Sequence, residues 1–150
     1  MEQYIGSKKV EARPMTRGEY NEYRGLPVPE NRSAEGYLVR YDRGYESWSP
    51  KEVFEASYRR IDGMSFGLAI EAAKMGKKIS RAGWNGKGQY VELGTCFQYT
   101  SHSGDVPKST CVQHTDIGSA ALVFVGTRGR QVGWLASQAD MLADDWYIVE

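Results

Sequence analysis

The sequence predicts an α+β protein: a small, mainly antiparallel sheet with short helices, preceded by a small αβ unit at the N-terminus. Three helix starts along the chain have a Ser or Thr followed three residues later by an acidic residue. Short alternating runs, and one strongly apolar run at 120–126, have the composition of strands. Because these runs are separated by short turns, we expect neighbouring strands to pair antiparallel.

The first unit reads as strand, helix, strand, strand, helix. A strand is predicted at 4–12. Thr16 is then placed as an N-cap with Glu19 three residues on, which is the pattern of a capping box, and Gly25 ends that helix. After a polar, proline-bearing loop, residues 37–48 have the pattern of a β-hairpin that turns around Gly44.

A second helix is predicted directly after the hairpin. Ser49 would be its N-cap and Pro50 its first residue, with Glu52 at the third position. The charged segment RRIDGM at 59–64 then separates the two periodic parts of the chain. We therefore predict an N-terminal unit at 1–62 and a second domain at 63–150.

The second domain begins with a helix capped by Ser65 and ended by Gly76. Its apolar positions should face the sheet, and they are Phe66, Leu68, Ala69, Ala72 and Ala73. Strands are predicted at 78–81, 88–93, 120–126 and 146–150, with 131–136 continuing the sheet. The polar segment 94–117 is read as irregular, with one strand-like run at 96–100.

Composition excludes several classes of protein. The chain has 150 residues, of which 41% are apolar, so it can form a packed core. It carries 19 basic and 19 acidic residues, which disfavours binding to long nucleic acid. No apolar run approaches the roughly 20 residues of a membrane span, and the first residues lack the order of a signal peptide. We expect a soluble intracellular protein.

Two cysteines and two histidines lie within one polar segment and raise the question of a metal site. Cys96, His102, Cys111 and His114 have zinc-binding side chains, but their spacing fits no common zinc finger. The simpler interpretation is that they are scattered loop or core residues. We predict neither a metal nor a cofactor.

The stretch RAGWNGKGQY at 81–90 combines three glycines with a tryptophan. It fails as a P-loop, because Gly88 stands where a hydroxyl residue is required. One interpretation is a turn with Trp84 packed into the core. The other is a ligand-binding loop, in which Trp84 stacks on a base, Asn85 bonds a ribose or base edge, and Lys87 offsets phosphate charge. In that case the backbone from Gly86 to Gly88 would hold an anion.

A second aromatic stretch, GWLASQADMLADDW at 133–146, pairs Trp134 with a helix start. Ser137 and Asp140 have the spacing of a cap. Asp144 and Asp145 are interpreted as a solvated acidic corner.

The second domain resembles the Thoeris anti-defence protein two family of phages and prophages. The resemblance rests on MSFGLAIEAAKMGKKISRAGWNGKG at 64–88 and on GWLASQADMLADDWYIV at 133–149. It implies a homotetramer in the cytoplasm of the host bacterium, with pockets between subunits. These pockets bind a cyclic ADP-ribose signal of the host's defence, and in some members cyclic dinucleotides at a separate pocket, without cleavage.

The resemblance also implies which residues bind the ligand. Trp84, Asn85 and the backbone of Gly86, Lys87 and Gly88 would belong to the pocket, and Trp134, Ser137 and Asp140 would lie near it. Thr127 and Arg128 in the turn GTRGR are further candidates. The alternatives are a nucleotide-degrading enzyme and a phage structural or interaction module whose tryptophans are only core. The N-terminal unit is similar to a segment of phage proteins and has no assigned role.

Overall fold

The computed structural model describes residues 1–95, 99–101, 112–114 and 120–150, with the side chains of 99–101 and 112–114 excepted. It confirms the α+β class: short helices accompany antiparallel sheets. Contacts divide the chain into two compact units, Met1–Arg59 and Arg60–Glu150. Among the helices of the described residues, none has the length and apolarity needed to cross a membrane.

The N-terminal unit is a three-stranded antiparallel sheet with two helices. Its elements are β1 (Glu11–Pro14), α1 (Arg17–Tyr23), β2 (Gly36–Arg40), a 3-10 turn (Asp42–Gly44), β3 (Glu46–Pro50) and α2 (Lys51–Ser57). The strand order is β1-β2-β3, so the predicted hairpin forms the centre and one edge of the sheet.

A small apolar cluster holds this unit together. Met15, Tyr20 and Leu38 are buried, and the ring of Trp48 packs against them. The indole N–H of Trp48 donates to the backbone carbonyl of Met15 at 2.8 Å. The apolar ring is therefore covered while its one polar atom keeps a partner, as a buried tryptophan requires.

Two boundary predictions in this unit are wrong. The strand expected at 4–12 lies at Glu11–Pro14. The residues before Glu11 are almost all exposed and form no strand, because their apolar side chains are not buried. Ser49 is not the N-cap of α2. It pairs with Tyr37 inside the sheet, and Pro50 occupies the cap position without a side-chain hydrogen bond.

The second unit is a five-stranded antiparallel sheet covered by one longer helix. Its elements are α3 (Phe66–Lys74), β4 (Lys78–Arg81), β5 (Tyr90–Gly94), β6 (Tyr99–Ser101), β7 (Val112–His114), β8 (Ala121–Gly126), β9 (Gly129–Val132), α4 (Gln138–Met141) and β10 (Trp146–Val149). The strand order is β10-β4-β5-β8-β9, and β6 pairs with β7 separately. The β7 strand falls in the segment that the sequence led us to read as irregular.

The core of the second unit lies between α3 and the sheet. Trp146, Ile79 and Val91 are fully buried there, and Ala69, Ala72 and Ala73 of α3 pack against them. Phe66 and Leu68 are half-buried against the same cluster, so the predicted inward face of the helix is confirmed. Ser65 is the N-cap by position, but its side chain makes no capping hydrogen bond. The continuation of the sheet expected at 131–136 stops at Val132.

Candidate functional site

A depression of about 350 Å³ opens on the second unit, beside the glycine-rich loop between β4 and β5. The loop, strand β8, the segment before α4 and α4 itself all contribute to its wall. The lining residues are Trp84, Asn85, Gly86, Gln89, Phe124, Trp134 and Asp140. Sequence positions that are up to 56 residues apart thus meet at one place.

Three aromatic residues, Trp84, Phe124 and Trp134, contribute to this wall. The ring of Trp84 contacts those of Phe124, Trp134 and Trp146 edge-on, with centroids 5.6, 5.9 and 5.5 Å apart. Such edge-to-face pairs are the favoured arrangement of neighbouring rings. Trp84 is half-buried, so it packs on the core and lines the depression at the same time. The two interpretations of this residue from the sequence are therefore compatible.

The carboxylate of Asp140 is the polar centre of the site. One oxygen, Oδ1, accepts from the guanidinium of Arg81 at 2.8 Å and from the indole N–H of Trp84 at 2.9 Å. The other, Oδ2, accepts from the backbone N–H and the hydroxyl of Ser137 at 3.1 and 2.7 Å. Because a carboxylate offers about four acceptor sites, all of them are used within the chain.

These bonds determine the charge state of Asp140. Burial by itself raises the pKa of the carboxyl, but the hydrogen bonds from Ser137, Arg81 and Trp84 outweigh it and lower the pKa to about 2. Hydrogen bonds to the charged form have this effect because they are lost on protonation. Asp140 is consequently an ionised, fully bonded group at neutral pH.

Arg81 joins Asp140 to a second carboxylate. Its Nε donates to Asp145 Oδ1 at 2.7 Å, while the backbone N–H of Gly83 donates to Asp145 Oδ2 at 2.8 Å. The bond from Arg81 is the main cause that lowers the pKa of Asp145. Asp145 is therefore not part of a solvated acidic corner, as its position next to Asp144 led us to expect. It ties the start of β10 to the glycine-rich loop.

Local space or backbone conformation bears on three glycines of the loop. A Cβ at Gly83 would lie 2.9 Å from Asp145 Oδ2, which accepts from the backbone N–H of Gly83, whereas one at Gly86 would only require the side-chain amide of Gln89 to move. Gly88 has a φ of 70°, which favours glycine. The backbone N–H groups from Asn85 to Gly88 bond no other group in the described part of the chain.

The remaining predicted residues lie outside the lining of the depression. Lys87 and Gly88 follow on the exposed part of the loop, and Ser137 contributes through Asp140. Thr127 and Arg128 are exposed in the turn between β8 and β9.

Sequence reasoning missed Arg81, Gln89 and Phe124. Arg81 stood inside the quoted motif, but its role needs two carboxylates that are brought close only by folding.

The structure does not describe the side chains of the four residues with zinc-binding groups. Cys96, His102 and Cys111 lie outside the described residues, as does the side chain of His114. Across the described ranges, no three His, Cys, Asp or Glu side chains are grouped as metal ligands.

Comparison with known proteins identifies the class to which this fold and site belong. The family model of the Thoeris anti-defense 2-like domain matches residues 64–149, and the chain belongs to that family. Its role therefore lies in phage anti-defence, in the host. The protein named Thoeris anti-defense 2 of Bacillus phage SP01 is 34% identical over 87 residues, which are 57% of this chain and 94% of the phage protein. The matched region begins after the N-terminal unit.

Proposed function

We propose that the protein binds a cyclic ADP-ribose-type immune signal at the depression beside Trp84 and withholds it from its effector without cleaving it. The observation that carries the proposal is the aromatic wall, in which Trp84, Phe124 and Trp134 converge on one open space. Flat rings bind a nucleobase by stacking, at roughly 1–3 kcal/mol per base.

The polar groups of the loop fit the rest of such a ligand. Asn85 is exposed at the rim, where its amide can donate to and accept from a ribose or base edge. Beside it, the backbone N–H groups up to Gly88 and the ammonium of Lys87 suit a phosphate. The aromatic wall of the depression thus suits a base, and the glycine-rich loop at its edge suits an anion.

The state of the carboxylates favours binding over hydrolysis. A general base works best when its pKa lies near the working pH. The pKa of Asp140 is about 2, and its acceptor sites are occupied by Arg81, Trp84 and Ser137. Asp140 is therefore suited to holding the wall in place and poorly suited to proton transfer, which supports a sequestering protein over a nucleotide-degrading enzyme.

A second chain is part of the proposal. A depression of about 350 Å³ is at the small end of the roughly 300–1,000 Å³ of ligand pockets, and it is open on one side. Submicromolar binding needs more than about 8 kcal/mol, and association costs reduce what one wall supplies. We therefore propose that a sister subunit closes the pocket in a homo-oligomer, a tetramer as in the family, in the host cytoplasm. Cyclic dinucleotides are proposed as ligands of a separate pocket.

The direct test measures depletion and recovery of the ligand. Purified protein is mixed with the cyclic ADP-ribose signal, free ligand is collected by filtration, and the retained protein is then heated. Sequestration predicts stoichiometric loss from the filtrate and release of intact ligand on heating. Turnover of many ligand molecules per chain would show an enzyme, and an undepleted filtrate would refute binding. A parallel sample with a cyclic dinucleotide tests the second ligand class.

A variant at the rim separates binding from folding. Asn85→Ala removes an exposed amide that bonds no group within the described residues, so the thermal midpoint should stay unchanged while ligand affinity falls by about 10-fold. Asn31→Ala changes another exposed asparagine, in the N-terminal unit; it is the matched control and should bind like the unaltered protein. Equal affinity of the two variants would remove Asn85 from the site.

A further inference from the structure

Two consecutive residues of the glycine-rich loop are bonded to two carboxylates from elsewhere in the chain. Gly83 donates through its backbone N–H to Asp145, and Trp84 donates through its indole N–H to Asp140. The loop position and the ring orientation of Trp84 therefore depend on where these two carboxylates stand.

Arg81 is the group that connects the two carboxylates. Its Nη1 donates to Asp140 and its Nε to Asp145, at 2.8 and 2.7 Å. The side chains of Arg81, Asp140 and Asp145 are 16%, 14% and 34% exposed, so these bonds are largely sheltered from water. A planar guanidinium can serve two carboxylates in fixed directions, which the single ammonium of a lysine cannot reproduce.

The charges of these side chains also indicate that the position of Trp84 depends on Arg81. Without Arg81, two carboxylates would stand beside one loop with only neutral donors to hold them. Their repulsion, together with solvation of the freed oxygens, would draw Asp140 away from the indole N–H.

We propose that Arg81 is a positioning residue of the ligand site: by holding Asp140 and Asp145 it fixes the indole of Trp84 at the angle at which a ligand ring stacks. This inference rests on the proposed function for its binding consequence. Its structural consequence, the orientation of the indole, exists without any ligand. Arg81 itself is absent from the wall of the depression.

The test uses Arg81→Ala, Arg81→Lys and the matched control Arg130→Ala, which removes an exposed arginine paired with Glu92 on the same sheet. The indole N–H signals of the ¹⁵N-labelled full chain are recorded first, without ligand, and Trp84→Phe assigns the signal of Trp84. We expect both Arg81 variants to shift that signal or increase its hydrogen exchange. The indole N–H of Trp146 donates to the Asp140 backbone carbonyl and should keep its hydrogen-exchange rate.

Affinity for the cyclic ADP-ribose signal is measured next. Arg81→Ala should weaken binding by about 10- to 100-fold, the range known for residues that orient metal ligands, and Arg81→Lys should recover only part of it. Arg130→Ala should bind like the unaltered protein. An unchanged Trp84 signal, or the same affinity in Arg81→Lys and Arg130→Ala, would overturn the inference. If the unaltered protein binds no ligand, the proposed function fails, while the Trp84 signal still decides the role of Arg81.

Discussion

The starts of α1 and α4 are the same motif put to two different uses. In α1 the carboxylate Oε2 of Glu19 accepts from the backbone N–H and the hydroxyl of Thr16, at 2.7 and 2.8 Å. In α4 the Oδ2 of Asp140 accepts from the same two groups of Ser137. Each is a complete capping box.

The second carboxylate oxygen makes the difference. Oδ1 of Asp140 accepts from Arg81 and Trp84, whereas the other oxygen of Glu19 bonds no side chain in the described part of the chain. One acid therefore closes a helix end and nothing else. The other closes a helix end and also holds Trp84 in the wall of the depression, because an acidic capping residue has a second oxygen that more distant groups can bond.

The largest expected effect is a difference in the free energy of unfolding between variants of Asp140 and Glu19. Asp140→Ala removes the acceptor of Arg81 Nη1, of the Trp84 indole N–H and of the Ser137 cap, while Arg81 keeps its bond to Asp145. At about 1 kcal/mol for each lost interaction, the second unit should lose about 3 kcal/mol. Glu19→Ala removes an exposed group and should leave the N-terminal unit folded. A urea titration followed by the indole signals of Trp48 and Trp146 reports each unit by itself. Equal losses would show that Asp140 is only a cap.

Acid should destabilise the second unit through protonation of Asp140. Its pKa in the folded chain, about 2, lies below the ordinary value of 3.8. The stabilisation is therefore present above about pH 4 and is lost as the pH falls towards 2. It amounts to about 2 kcal/mol. Urea midpoints measured between pH 5 and pH 2.5 should fall more in the unaltered protein than in Asp140→Asn. Parallel curves for the two proteins would contradict this assignment.

The smallest effects should come from the hydroxyl residues of the two boxes. Thr16→Ala and Ser137→Ala each remove one capping hydroxyl and should cost about 1 kcal/mol in their own unit. In Ser137→Ala the bonds from Arg81 and Trp84 to Oδ1 remain, so the indole signal of Trp84 should keep its position. A shift of that signal as large as in Arg81→Ala would mean that the cap, and not Arg81, orients the ring.

The elements that were predictable from the sequence are those with local causes. The box at Thr16, the hairpin around Gly44 and the inward face of α3 follow from hydrogen bonds or periodicity within a few residues. The ends of helices and strands were less predictable, because they depend on burial and strand pairing with distant parts of the chain. The exposed run before β1 stays out of the sheet, and Ser49 is taken into a strand by its pairing with Tyr37.

The sequence by itself determined the α+β class, the family motifs, and Trp84 and Trp134 as aromatic residues of a candidate site. Only the tertiary structure decided that Arg81, Asp140 and Asp145 form one bonded group, and that Trp84 both packs on the core and lines a depression. The physical reason is range: caps and periodicity act over one or two turns, whereas the bond from Arg81 to Asp145 joins residues 64 positions apart and exists only in the folded chain.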